Sequence, residues 1–221
     1  MEVVTFYSYK GGVGRTLLLA WVARALAARG KRVLALDLDL EAPGLPSKLR
    51  PVTEPQPGLG IVDLLLRFQG GASPPTDLAQ WCLPVAAHES SLWLLPAGAA
   101  PSPAYWQALG KVSWETLFVE RAADGARFFL WLRDALAKAL EPDFLLIDAR
   151  TGVTEMGAAA VGMLADTVVA VTNMSLESKK GLREVLRAAV REDRSYYAVA
   201  DALRALVKVD RNDCEADLLS A

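Results

Sequence analysis

Histidine and cysteine are scarce in this chain of 221 residues, with one His (His88) and two Cys (Cys82 and Cys214). Two cysteines far apart in sequence do not make a disulfide framework, and a reduced, cytoplasmic setting is the expectation. One histidine, with no cysteine pair at ligand spacing, leaves no donor set for a structural zinc site. An excess of charge is also missing: 24 Lys and Arg face 26 Asp and Glu, a formal net charge of −2. That balance excludes a chain-wide basic coat for nucleic acid and leaves room only for a local patch. Long apolar runs are absent too. The longest, residues 156–174, is broken by Asp166 and opens on Ala and Gly. It reads as a short helix followed by a buried strand, so no membrane insertion is expected. The start, Met1-Glu2-Val3-Val4-Thr5-Phe6, lacks the basic segment and apolar core of a secretory signal.

What is present is apolar content of 52%, enough for a chain this long to bury a core without disulfide or metal staples. Residues 3–7 form a β-branched and aromatic run that ends at a glycine loop. Residues 16–29 follow with Leu18, Leu19, Val22 and Leu26 at helical spacing, and Gly30 stands where a helix stops. Residues 32–38 then read as an apolar strand, which completes a strand–loop–helix–strand unit and implies a mostly parallel sheet flanked by helices. Further on, 45–57 reads as a Pro-rich loop, 61–68 as a helix, 70–75 as a loop and 91–95 as a strand. Residues 103–140 read as helical pieces, the last over 126–140. A buried strand over 144–147 ends at Asp148. A helix over 156–164, a strand over 167–171, a charged helix over 177–191 and a last helix over 196–209 complete the pass. No repeat or linker composition divides the chain, so one α/β domain over 1–221 is the simplest account.

The strongest chemical signal is Lys10-Gly11-Gly12-Val13-Gly14-Arg15-Thr16. It lies where a strand ends and a helix opens. Converging backbone N–H groups and the helix N-terminus there favour a phosphate. Glycines let the backbone approach the anion, and the Thr16 hydroxyl is of the kind that ligates Mg²⁺. Two departures from the general phosphate-loop pattern stand out: Tyr9 where the first Gly is usual and Arg15 where Lys is usual. Arginine is longer, planar and forked, so it does not take an ammonium's position unchanged.

These residues resemble the deviant Walker A motif of the MinD/ParA-type ATPases. Leu36-Asp37-Leu38-Asp39 resembles the D-x-D at the end of their second strand, Asp148 their Walker B aspartate, and residues 148–152 their switch II. Arg15, Asp39-Leu40-Glu41-Ala42-Pro43-Gly44 and Arg150-Thr151-Gly152 together resemble a bacterial subgroup with KGGVGR in place of KGGVGK. The resemblance covers residues 1–192 and implies a three-layer P-loop NTPase fold, ATP and Mg²⁺ as cofactors, and a nucleotide-dependent homodimer. It implies that Lys10 reaches a partner's phosphates, that Gly11, Gly12, Val13, Gly14, Arg15, Thr16 and Leu17 wrap the nucleotide, and that Asp39 aligns the attacking water. It further implies that Thr16, Asp39 and Asp148 serve Mg²⁺, with Asp148 acting through water, and that Gly152 senses the γ-phosphate. Asn173 either contacts the base or is a turn residue. Asp37 either belongs to the site or caps its strand, and Glu41 and Arg150 either pair or are solvated.

With Asp39, Asp148 and Thr16 all in place, slow ATP hydrolysis supported by Lys10 and Arg15 is expected. The alternative is a nucleotide-gated interaction module that scarcely turns over, inside a larger, defence-related assembly. A ParA-like DNA-binding role would use Lys179, Lys180, Arg183, Arg187, Arg191 and Arg194, but Glu177, Glu184, Glu192 and Asp193 interleave with them. The tail from Asp213 to Ala221 is acidic, unlike a basic amphipathic membrane anchor. Trp106, Trp114, Phe118, Phe128, Phe129 and Trp131 read as core, or else as a surface for a protein partner. No further apolar strand is expected after Arg191.

Overall fold

The computed structural model describes residues 1–85, 91–120, 122–173, 175–189, 195–200 and 205–209. His88, Arg191, Glu192, Asp193, Arg194, Cys214 and the acidic tail lie outside them. The elements are β1 (Glu2–Tyr7), α1 (Arg15–Ala27), β2 (Val33–Leu38), α2 (Leu45–Leu49), α3 (Ile61–Gln69), β3 (Leu83–Pro84), β4 (Leu92–Leu95) and α4 (Pro103–Leu109). There follow α5 (Ala122–Leu140), β5 (Phe144–Ala149), α6 (Glu155–Ala159), β6 (Thr167–Thr172), α7 (Leu176–Ala189), β7 (Ser195–Ala200) and β8 (Ala205–Val209).

All eight strands join one sheet in the order β3-β4-β2-β5-β1-β6-β7-β8. The six from β4 to β7 run parallel, and β3 and β8 close the edges antiparallel. Successive side chains of a strand face opposite ways, and the sequence fills both faces. Val33 and Ala35 of β2 pack with Phe6, Leu146 and α1 residues Leu19 and Ala23. Leu34 and Leu36 turn to the other face, with Ile147, Val62 of α3, Phe128 and Phe129 of α5 and Leu182 of α7. The result is helix, sheet, helix: the three layers expected of a P-loop NTPase fold. Burial on both sides explains why β2 is apolar at every position but Asp37.

Four local expectations are corrected. Leu45–Leu49 is a short helix inside the expected Pro-rich loop; Pro46 sits in its first turn, where a missing N–H costs nothing, and Leu45 and Leu49 are buried. The helix expected over 156–164 ends in a wide π-type turn, Ala160–Leu164. The sequence reading passed over β3, which has only two residues. The largest correction concerns 196–209, expected as a helix. It is a β-hairpin in which β7 extends the parallel sheet beside β6 and β8 returns antiparallel. The alanines favoured a helix, but the aromatic and β-branched residues of 195–200 and 205–209 win once a sheet edge offers pairing to both stretches. The sheet therefore continues past Arg191.

The aromatic stretch is mostly core. Phe128 and Phe129 are fully buried and meet edge to face, while Trp114, Phe118 and Trp131 pack partly buried against that core. Trp106 is the exposed member. Among the described residues, no helix is long and apolar enough to cross a membrane.

Candidate functional site

Strand order assembles the site. β1 lies between β5 and β6, and β5 lies between β1 and β2. The C-terminal ends of β1, β5 and β2 therefore sit side by side, with Phe6 and Asp37 both in register with Asp148. From those ends come the glycine loop, Asp148 and the Asp37–Asp39 pair. Ligands of open α/β sheets bind at such strand ends.

The loop leads straight into α1. Gly12 (φ 77°) and Gly14 (φ 85°) both adopt left-handed backbone, which side chains disfavour, and Gly14 is the residue on which α1 starts. Loop residues 11–17 line a cavity of about 530 Å³ with Asp39, Glu41, Lys48, Arg150 and Thr151. Gly11, Gly12, Val13, Gly14, Arg15, Thr16 and Leu17, the residues that the resemblance implied for the nucleotide, thus all line one cavity.

Arg15 does not point at the cavity mouth. Its guanidinium is 5% exposed and turns inward. Nε donates to Asp148, Nη2 donates to Asp39 at 2.8 Å, and Nη1 donates to the Ser8 hydroxyl at 3.3 Å. Burial works against the charge, but Asp148 first and Asp39 next more than offset it, so the guanidinium pKa is raised. Removing one partner of a buried pair like this costs about 3–5 kcal/mol.

Asp37 is fully buried beside this cluster, where its carboxylate accepts N–H bonds from Asp39 (3.2 Å) and Leu45 (3.1 Å). It clasps both ends of the loop from Asp39 to Leu45. Burial, and then the neighbouring Asp148 charge, push its pKa well above the usual carboxylate range. Burial also raises Asp148, although Arg15 and the Thr16 hydroxyl pull it back in part. Asp148 Oδ2 is buried with no hydrogen-bond partner among the described residues. One guanidinium therefore faces three carboxylates, and one Asp148 oxygen is left without a hydrogen-bond partner. Such hard oxygen donors, short of positive charge, fit Mg²⁺, which takes one or two carboxylates and completes its shell with water and phosphate. No group of three or more His, Cys, Asp or Glu side chains suited to a metal held by protein alone occurs among the described residues.

Glu41 and Arg150 do pair: both guanidinium Nη atoms donate to the two Glu41 oxygens, linking the loop after β2 to the loop after β5 across the cavity. Their side chains are 53% and 32% exposed, so the pair contributes at most about 1 kcal/mol. Lys10 lies outside the cavity lining, with Nζ 2.6 Å from Glu177 of α7 in a similarly exposed pair. Gly152 is turned away: its N–H donates to the Ser8 carbonyl at 3.3 Å, and the Tyr7 hydroxyl donates to its carbonyl at 3.0 Å. It borders a separate, apolar cavity of about 590 Å³ between α6 and α7. Asn173 takes the turn alternative: its Oδ1 accepts from the Ser175 N–H (3.1 Å) and hydroxyl (2.8 Å) at the start of α7, away from the phosphate cavity.

Three contributors had no sequence signal. Ser8 helps hold Arg15, Lys48 reaches the cavity from α2, and the buried Tyr105 hydroxyl donates to the Leu40 carbonyl at 2.6 Å. Tyr105 thereby pins the backbone just after Asp39 from 65 residues away. A fourth contact fixes the residue before Lys10. The Tyr9 ring lies on Gly181 so closely that an added Cβ would sit 2.2 Å from a ring carbon. Gly181→Ala is expected to lower stability by about 1–3 kcal/mol through overpacking. Thermal denaturation checks this, and adding Tyr9→Ala in the same chain should recover part of the loss.

Residues 4–214 match the family described as the CobQ/CobB/MinD/ParA nucleotide binding domain. A probable plasmid-partitioning protein ParA of Thermus thermophilus is 31% identical over 191 residues, or 85% of this chain and 50% of that protein. The chain thus spans about half the length of that relative. The Aquifex aeolicus MinD cell division protein superposes with a TM-score of 0.62 at 23% identity, over 99% of this chain and 78% of that one. The septum site-determining protein MinD of Pyrococcus horikoshii OT3, solved with Mg-ADP, gives 0.66 at 19% identity, over 97% and 76%. The family match spans nearly the whole chain, and the fold and the phosphate loop agree with it: this chain belongs to the CobQ/CobB/MinD/ParA nucleotide-binding domain family.

Proposed function

We propose that residues 1–221 form a single ATP-binding switch domain of MinD/ParA type. It hydrolyses ATP slowly with Mg²⁺, dimerises when nucleotide is bound, and signals to a protein partner in a cytoplasmic setting. The observation that carries this reading is the shared cavity in which a glycine loop at a helix N-terminus meets Asp39, with the orphaned Asp148 oxygen beside it. The loop N–H groups would bind the β- and γ-phosphates. Thr16 and Asp148 would hold Mg²⁺, which when bound neutralises phosphate charge. Asp39 would orient the attacking water and accept its proton. Tyr105, through Leu40, and Asp37, through the Asp39 N–H, keep Asp39 in position.

Arg15 in this reading balances carboxylate charge inside the site instead of gripping phosphate, which is consistent with slow turnover. Phosphoryl transfer relies on placed positive charge, and here one cation is committed inward. Lys10 would act across the dimer, since its exposed tie to Glu177 releases at little cost.

Light scattering with and without ATP and Mg²⁺ tests the switch. The wild type should move from monomer to dimer with ATP and not with ADP. Lys10→Ala should stay monomeric while binding ATP within about threefold of wild type, as expected for a partly exposed residue outside the cavity. A wild type that never dimerises removes the dimer, and one that binds no ATP removes the whole proposal. DNA binding is the less favoured role. Arg187 of the basic helix lies 3.4 Å from Glu184 and Lys10 engages Glu177, so the helix carries mixed charge and not a basic stripe.

A further inference from the structure

We infer that Arg150 is the cation that takes up the terminal phosphate of the nucleotide, the task that an ordinary phosphate loop gives to its own basic residue. The inference rests on the ATP reading above and adds the residue that separates ATP from ADP.

Three cationic side chains line the phosphate cavity: Arg15, Lys48 and Arg150. Arg15 is spent, because all three of its nitrogens donate inward to Asp148, Ser8 and Asp39 and almost none of it is exposed. Drawing it out to a phosphate would strand buried carboxylates. Lys48 is an exposed, flexible side chain on a short helix, a point charge without a fixed direction. Arg150 differs from both. It stands two residues beyond Asp148, where β5 ends, and its guanidinium already grips an oxyanion with two nitrogens on two oxygens. Carboxylate and phosphate present the same paired-oxygen edge to that fork. Glu41 therefore occupies the position that phosphate oxygens would take.

Exchange of partners follows from the difference in burial. The Glu41–Arg150 pair is open to water and weak, while the Arg15 pairs are closed off, so an arriving phosphate recruits Arg150 first. The exchange frees Glu41, and with it the link from the loop after β2 to the loop after β5. A loop contact present without nucleotide would be broken only by a nucleotide long enough to reach Arg150.

The test is fluorescent ATP and ADP analogue binding in Mg²⁺ to the wild type, Arg150→Ala, Arg150→Lys, Lys48→Ala and Glu41→Gln. Arg150→Ala should weaken ATP by about 10- to 100-fold and ADP by less than about threefold, the loss of charge-assisted bonds to one phosphate. Arg150→Lys should fall between, since it keeps charge and loses the fork. Lys48→Ala should weaken both nucleotides equally and slightly, and Glu41→Gln should tighten ATP. Circular dichroism melts confirm that each variant folds, with Arg150→Lys as the milder probe should Arg150→Ala not fold. An unchanged ATP-to-ADP preference in both Arg150 variants overturns the inference and leaves the ATP reading standing. A wild type that binds neither nucleotide overturns the ATP reading itself.

Discussion

Arg15→Ala is expected to cost the nucleotide-free protein about 3–5 kcal/mol, the penalty for leaving buried charge without its partner. For a chain of this size that is a fall in melting temperature of about 6–20 °C. The guanidinium satisfies Asp148, Asp39 and Ser8 at once, and no other cation pairs with Asp148 or Asp39 among the described residues. Removing it leaves three carboxylates, two of them fully buried, around an empty volume. Divalent cation should then act in opposite ways on the two proteins. Millimolar Mg²⁺ without nucleotide should leave the wild type's melting unchanged, because Arg15 already pairs with Asp148 and Asp39 and the phosphate that would complete the Mg²⁺ shell is missing. It should restore several degrees to Arg15→Ala, where oxygen donors stand unpaired. Melting curves with and without Mg²⁺ measure both. If Arg15→Ala melts within a degree of wild type, the guanidinium is not what holds this cluster together.

Asp39→Asn is expected to slow single-turnover ATP hydrolysis by about 10²–10⁴-fold, the range for losing a positioned general base. Asparagine keeps an oxygen for the Arg15 Nη2 bond and leaves the backbone N–H bonded to Asp37 untouched. The change therefore removes proton affinity with little change of shape, and ATP binding should stay within about threefold. A second variant separates chemistry from position. Tyr105→Phe removes only the hydroxyl that holds the Leu40 carbonyl. It should lower the rate more mildly, about tenfold, by loosening Asp39 rather than deleting it. A full-rate Asp39→Asn would show that water is activated by another group.

The phosphate loop was legible because its signal is local. Strand, glycines and helix follow one another directly from Glu2 to Ala27, and Gly12 and Gly14 take left-handed backbone that favours glycine. The apolar runs of β2 and β5 were legible for a similar reason: a strand buried on both faces has no polar alternation to confuse it. Arg15 was not legible. Spacing puts it in the loop, but its direction depends on Asp39 and Asp148, and Asp148 lies 133 residues away. Asn173 was open to two readings from sequence, and in the nucleotide-free fold its Oδ1 serves a short local turn. The hairpin of β7 and β8 was read as a helix because the alanines of 196–209 carry helix propensity, whereas pairing with β6 is decided by tertiary context.

A ribosome makes the phosphate loop well before the strands that set it in place. β1 has only β5 and β6 as neighbours, so the strand that carries the loop has no partner until residues beyond 144 have been synthesised. At about 5–20 residues per second, the loop waits roughly seven to thirty seconds on a strand with two unpaired edges. Nascent chains cut short before β5 would contain every residue from Lys10 to Leu17 and still lack the Asp148 carboxylate and the sheet that aims the loop. On the proposed reading, nucleotide capture is thereby tied to assembly of the core, and chains that still lack β5 are kept from it by the order of their strands.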